Sequence, residues 1–374
     1  MNYSFEGYSR DDGSAGTRNY VGIISSVICS SAVVREISEK AQGSIPFVHS
    51  NGCSQIGDDL ALTKNMIVGV ASNPNLNSAL LVGLGCETNQ VSGLLKSIPK
   101  IKPIKGIGIQ QLSGGTNTVQ KGVAIAEDWI EKASKQQRVT LPLSALTVGI
   151  INTNLEPEYL NEVASTIGLV VDNLVDHNVN VIMGLSKTLE PAGIELAKRV
   201  VDVKEKEKLT LLSGGLQRRR WDKTENGTMS FSEFSDSQTN LAMLESKMTG
   251  TKRINSILSY GELPKDNGLH LMSVSSNLVE SLSKMASSGC GIVLVVSSRG
   301  VLTGSVALPC MTLTPNSVEN AFDELSDYKF MKDEVNNHEE KIITALLEIC
   351  SGKKTKLEEL ELGEFSIPHL GTTF

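Results

Sequence analysis

The first 140 residues alternate between short apolar runs and amphipathic ones. "YVGIISSVIC" (20–29), "IPFVHSNGC" (45–53), "NSALLVGLGC" (77–86) and "IKGIGIQQ" (104–111) read as strands, two of them nearly continuous in Val, Ile and Leu as buried parallel strands are. Between them, "SAVVREISEKAQ", "ALTKNMIVGVAS", "NQVSGLLKSI" and "NTVQKGVAIAEDWIEKASKQQ" repeat apolar residues at helical spacing. This alternation predicts parallel β-α units with helices on both faces of a sheet. A polar stretch, "SKQQRVTLPLSAL" (134–146), predicts a boundary. "LTVGIINTN" (146–154) then opens a second series, with a helix at "NEVASTIGLVVDNLVDHN", a strand at "VNVIMGLS" and a helix at "PAGIELAKRVVDVKEKEKL". Further strands follow at "GLHLMSV", "GIVLVVSSRG" and "VALPCMTLT", with helices at "LAMLESKMTG", "LVESLSKMASSG" and "EEKIITALLEICSG". Residues 212–240 are rich in Gly, Ser and Asn and predict a long loop; "GEFSIPHLGTTF" predicts an extended tail packed on the body. The pattern predicts an α/β chain of two Rossmann-like domains with mostly parallel sheets, one over 1–140 and the other over 145–374.

Composition narrows the class. Aromatic residues are only 4%, so the cores must be aliphatic, which suits a layered α/β architecture. A net charge of −7, with no basic run beyond Arg218-Arg219-Arg220, gives no electrostatic support for nucleic-acid or membrane-surface binding. No apolar stretch is long enough to span a bilayer, and "MNYSFEGYSRDDG" has no signal-peptide core, so a cytoplasmic protein is expected. There, the six cysteines, scattered and without a C-x-x-C pair, are expected to be buried thiols, ligands or nucleophiles rather than disulfides.

Three of those cysteines carry the candidate chemistry. Cys29, Cys53 and Cys86 each close one of the first three predicted strands. The β-α-β rhythm would bring them to one sheet edge, where open α/β sheets bind ligands. Three thiols there suit a soft metal or an iron–sulfur cluster, with one position open for substrate. Gly52 and Gly85 precede two of them and permit backbone geometry that other residues resist. His49, Glu87 and Asp58 lie nearby in sequence as candidate acid–base groups. Each thiol read alone is more often a core cysteine at the end of an apolar strand than a ligand. Arg10 and Arg18 in "GYSRDDGSAGTRNY" form either an anion clamp or a salt-bridged turn. "LSGGTN" (112–117) opens a helix, and the backbone at Gly114, Gly115 and Thr116 either cradles an anion or makes a plain turn. "SSRGVLTG" (297–304), with Arg299, repeats that logic in the second half. No G-x-G-x-x-G or P-loop is present, so no nucleotide is expected.

With these stretches quoted, the sequence resembles the altronate/galactarate dehydratase family, which also includes the large subunit of sulfolactate sulfo-lyase. "GYSRDDGSAGTRNYVGI" (7–23), "HSNGC" (49–53), "NPNLNSALLVGLGCETNQ" (73–90) and "GGT" (114–116) carry the resemblance; "SSRGVLTG", "CSGKKT" (350–355) and "GEFSIPHLG" (363–371) match loosely. It implies an iron-assisted lyase, with Fe2+ or an iron–sulfur cluster on Cys29, Cys53 and Cys86. It implies a small carboxylate substrate, a sugar acid or hydroxy acid that loses water after abstraction of the proton alpha to the carboxylate. His49, Arg10, Asp11, Arg18 and Glu87 would be its polar motif residues. A family thiol position holds Asn152, and a following Ser-Glu pair reads Ser186-Lys187, though Glu190 keeps a further family acid. These departures leave open a catalytically degenerate member acting as a binding or scaffold subunit. The family's small N-terminal domain is not in the sequence, which implies a separate small partner subunit; a homo-oligomer is also expected.

Overall fold

The computed structural model describes residues 3–53, 55–210, 221–223, 229–231, 236–316, 322–331 and 337–369, with backbone alone at 187, 188, 190, 221–223, 229–231 and 323. Among these, two parallel sheets form the frame. The first has four strands, β1 (Tyr20–Ser25), β2 (Ser44–Phe47), β3 (Leu76–Gly83) and β4 (Ile104–Gly108), in the order β2-β1-β3-β4. The second has seven, β5 (Thr147–Thr153), β6 (Asn180–Leu185), β7 (Ile254–Leu258), β8 (Leu269–Ser273), β9 (Ile292–Ser297), β10 (Cys310–Pro315) and β11 (Tyr328–Phe330), in the order β7-β8-β6-β5-β9-β10-β11. All of its pairings are parallel. The chain is thus α/β with mostly parallel sheets, and β3, buried along its whole length, shows why: a parallel strand covered on both faces must be apolar throughout.

Helices α1 (Ser31–Lys40) and α4 (Gly115–Ser134) cover one face of the first sheet, packing Val34, Ile37, Val119 and Trp129 on Val21, Ile23, Leu80 and Val82. On the other face, α2 (Gly57–Ser72) and α3 (Val91–Ser97) bury Leu62, Met66, Ile67 and Leu94 in a core that continues into the second sheet through Ile151, Ile182 and Val293. The far face of the second sheet packs on α5 (Pro157–Asp176) and on the helix His338–Cys350. Buried asparagines of the "NPNLN" stretch pin the sheets together: Asn73 Nδ2 donates to the carbonyls of Ala286 (2.7 Å) and Cys290 (2.9 Å), and Asn75 Nδ2 to that of Gly291 (3.0 Å). Where α2 crosses the helix Leu278–Ser287, Gly69 lies so close that a Cβ there would sit 2.1 Å from the Ser287 carbonyl oxygen. Gly69→Ala must push backbone apart and is expected to cost about 1–3 kcal/mol, read as a lower midpoint in urea; an unchanged midpoint would show that this crossing yields freely.

The structure corrects several expectations. The first three strands end at Ser25, Phe47 and Gly83, several residues before Cys29, Cys53 and Cys86, which therefore sit in strand-to-helix loops. The predicted helix "PAGIELAKRVVDVKEKEKL" is broken: a 3₁₀ segment Lys187–Ala192 containing Pro191 leads to a short helix Gly193–Ala197, Val200 bridges to Ile254, and residues 203–210 are helical again. Proline forfeits a helical hydrogen bond, and edge strand β7 captures the Val200 backbone. Val139–Pro142, in the predicted boundary, pairs antiparallel with Ser4–Ser9. Within the predicted loop 212–240, Trp221–Lys223 pairs antiparallel with Met229–Phe231 and a helix starts at Asp236. The rest of that stretch, including Arg218, Arg219 and Arg220, lies outside the described residues. The tail does pack on the body: Gly363–Glu364 pairs with Gly304–Ser305, and Phe365 meets Phe47 edge-on at 5.4 Å. Among the described residues no helix is long and apolar enough to cross a membrane.

Candidate functional site

The carboxyl edge of the first sheet gathers the loops that follow β1, β2, β3 and β4. Cys29 follows β1 in a 3₁₀ turn (Ile28–Ser30), Cys53 follows β2, and Cys86 follows β3; these three strands are neighbours. All three thiols are exposed. The other three cysteines are buried, and burial pushes their thiols up, that of Cys350 to about 12. The core reading thus applies to Cys290, Cys310 and Cys350, and does not describe the loop cysteines. Gly52 (φ 100°) and Gly85 (φ 126°) hold the left-handed backbone that turns the chain just before Cys53 and Cys86. Gly114, Gly115 and Thr116 open α4 after β4 on the same edge, with Thr116 exposed.

The neighbouring polar groups stabilise these loops. His49 is buried; its Nε2 donates to the Ser25 carbonyl (2.9 Å) and its Nδ1 accepts from the Asn51 amide (3.1 Å), an arrangement that requires the neutral ring protonated on Nε2. Burial lowers its pKa to about 4, against a smaller opposing effect of the Ser25 carbonyl. With both nitrogens engaged, His49 ties β1 to the Cys53 loop and is not placed for proton transfer. Asn51 Nδ2 extends the tie to the Pro368 carbonyl of the tail (3.4 Å). The Glu87 carboxylate is likewise buried, accepting from the Gly85 amide (2.5 Å) and Ser26 Oγ (2.9 Å), so it shapes the Cys86 loop. Asp58, in the first turn of α2, is exposed.

Of the two readings of Arg10 and Arg18, the structure agrees with the salt-bridged turn and not with the anion clamp. Residues 10–18 precede β1, so they lie at the opposite end of the first sheet from the thiols. Arg10 donates to the carbonyls of Pro74 (2.7 Å) and Arg18 and to Asn19 Oδ1 (3.0 Å), and burial lowers its pKa to about 10. Arg18 makes a two-pronged contact with Glu358 (2.8 and 2.7 Å) and donates to the carbonyls of Thr17, Ile349 and Lys353. Neither guanidinium faces the thiol edge; the anion that Arg18 clamps is a residue of its own chain. Arg299, exposed after β9, pairs with Glu156 (2.8 Å).

Among the described residues, no three or more His, Cys, Asp or Glu side chains are grouped so as to hold a metal. The three exposed thiols share an edge and have the donor chemistry for a soft metal, but their side chains as placed do not fit a three-ligand site.

A second feature is invisible to sequence reasoning. At the carboxyl ends of β5, β6 and β8 lies a crevice of about 340 Å3, closed on its sides by the helices Asp236–Ser246 and Leu278–Ser287. In it Glu245, only 2% exposed, accepts from Asn152 Nδ2 and from Ser186 Oγ (2.6 Å). The one sequence signal is an acid on the helix face that also carries Ala242, three residues earlier, which is buried. Asn152 stands out in the sequence only as a departure from a family pattern and Ser186 only as the residue before another, Lys187, and the structure makes Asn152 and Ser186 neighbours.

Comparison with known proteins agrees with this frame. Residues 7–134 match the family model "D-galactarate dehydratase/Altronate hydrolase, second domain", and residues 163–373 match "D-galactarate/Altronate dehydratase, C-terminal". The chain is 25% identical to an altronate dehydratase of Bacillus subtilis, covering 100% of this chain and 79% of that one. It is 25% identical to a (2R)-sulfolactate sulfo-lyase subunit beta of Chromohalobacter salexigens, covering 98% and 97%. It is also 25% identical to a galactarate dehydratase (L-threo-forming) of Escherichia coli, covering 94% and 73%.

Proposed function

Because this chain belongs to the D-galactarate/altronate dehydratase family, we propose that it is a carbon–oxygen lyase that dehydrates a small sugar acid or hydroxy acid. The observation that carries the reading is the family match over both halves, with relatives named for that chemistry aligned along nearly the whole chain. The exposed thiols at the carboxyl edge of the first sheet support placing the reaction there.

In such a reaction a base removes the proton alpha to the carboxylate, the β-hydroxyl leaves as water, and the resulting enol tautomerises to a 2-keto-3-deoxy acid. Among the groups of this edge exposed to a dissolved substrate are Cys29, Cys53, Cys86, Asp58 and Thr116; His49 and Glu87 hold the loops around the thiols. Iron on the three cysteines is a separate part of the proposal and requires the loops to draw the thiols together. Metal analysis after anaerobic purification tests it, and iron well below one per chain would remove it.

Turnover tests the lyase reading. Altronate and galactarate, supplied under reducing conditions with ferrous iron, are expected to yield 2-keto-3-deoxy acids. Cys86→Ser is expected to lower kcat by about 10²-fold or more, the scale of losing a positioned acid–base group. Folded, iron-supplied protein that turns over neither acid would favour the second reading, a binding or scaffold subunit. That reading draws on Asn152, which stands at a family thiol position, and on the relative named as a subunit beta. A separate small subunit belongs to the same proposal, and co-purification with it is the check.

A further inference from the structure

The crevice of the second sheet contains an unpaired acceptor. Asn152 Oδ1 is buried and has no hydrogen-bond partner among the described residues. Its orientation is fixed: Nδ2 donates to Glu245, and rotating the amide would set Oδ1 against a carboxylate oxygen. A buried acceptor left unsatisfied is unfavourable, and a bound donor removes that penalty. Ser275 and Ser281 line the same space beside apolar Leu155 and Leu278. Its volume of about 340 Å3 falls within the roughly 300–1,000 Å3 common for small-molecule sites.

We infer that this crevice binds the hydroxyl-bearing part of a small polyhydroxylated molecule, one of whose hydroxyls donates to Asn152 Oδ1. Asn152 Oδ1 offers its lone pairs, so the crevice selects a ligand that brings O–H groups. Ser275 Oγ, which accepts from the Asn277 amide, keeps its proton to donate, and Ser281 Oγ, which donates to the carbonyls of Ser275 and Asn277, keeps a lone pair to accept. The site is separate from the thiol edge of the first sheet. It does not rest on the lyase reading.

Calorimetric titration of the full chain with galactitol tests the inference without any turnover, since an uncharged alditol has no carboxylate to acidify an alpha proton. Saturable binding is expected. Asn152→Ala should weaken it about tenfold, the equivalent of one hydrogen bond of about 1.4 kcal/mol. Because Asn152→Ala also removes a donor to Glu245, a second variant is used: Ser276→Trp, at an exposed position on the crevice lining, should abolish binding while leaving the melting curve unchanged. No heat with galactitol would overturn the inference, the orphaned acceptor then being met by solvent. Binding that survives Ser276→Trp would place the ligand elsewhere. Binding of galactarate but not galactitol, lost in the same variant, would overturn the ligand class. Failure of the dehydration assay leaves all of these outcomes readable.

Discussion

Arg18→Met is expected to lower the unfolding free energy by about 3–5 kcal/mol, the scale of breaking one side of a buried ion pair. The Arg18 and Glu358 side chains are only 8% and 16% exposed, and they close a contact between residues 340 apart in sequence. Removing the guanidinium leaves Glu358 buried beside Tyr20 Oη and the Thr355 amide, which cannot replace a charge, and leaves the Ile349 and Lys353 carbonyls without their donor. The pH dependence identifies the cause. Burial alone would raise the Glu358 pKa, but the hydrogen bonds and charge of Arg18 outweigh it and hold the carboxyl below its ordinary range. A depressed carboxylate contributes stability that is present above the unfolded value of about 4.3 and is lost as pH falls through the folded value. In Arg18→Met burial wins, so the deficit should be largest near neutrality and shrink in acid, as Glu358 takes a proton. Urea midpoints against pH for both proteins measure this, and a deficit constant with pH would refute the ion-pair origin.

His49 carries the second large effect, again in acid but over a higher window. Burial holds its pKa near 4, whereas the unfolded chain titrates at about 6.5. Between those values the unfolded state binds the extra proton, so stability falls as pH drops from about 6.5 towards 4 and levels off below. The difference is worth roughly 3 kcal/mol in total. Replacement by Gln removes the titration, so the variant, though less stable at neutral pH, should show a flatter profile across that window. Equal slopes for the two proteins would mean that the ring is hydrated in the folded state. The same geometry predicts that no limb of a pH–rate profile between pH 6 and 7 belongs to His49, because its Nδ1 lone pair already accepts from the Asn51 amide.

Much of the frame is legible in the sequence because burial on both faces leaves its mark in composition. "NSALLVGLG" reads as a buried parallel strand, and the spacing of apolar positions in α4 predicts a one-sided helix. The predicted strands overrun their true ends for a physical reason: Val27 is buried after β1 has ended, so apolar character outlasts the hydrogen-bonded ladder. The break in the helix at 187–210 is not legible, because capture of Val200 by β7 depends on a strand 54 residues later.

The sequence by itself determined the layered α/β class, the family, and the sheet edge that three thiols share. Those properties are local, written in periodicity and in motifs a few residues long. Tertiary structure alone decided which polar residues remain open to a ligand. Arg10, Arg18, His49 and Glu87 carry the side chains of a catalytic site, yet each finds its partners within the fold, Arg18 in a glutamate near the far end of the chain. Glu245, inconspicuous in its helix, meets Asn152 and Ser186 in a crevice because three separate segments converge there. Hydrogen bonds over such separations depend on distance in space, and sequence spacing carries no record of it.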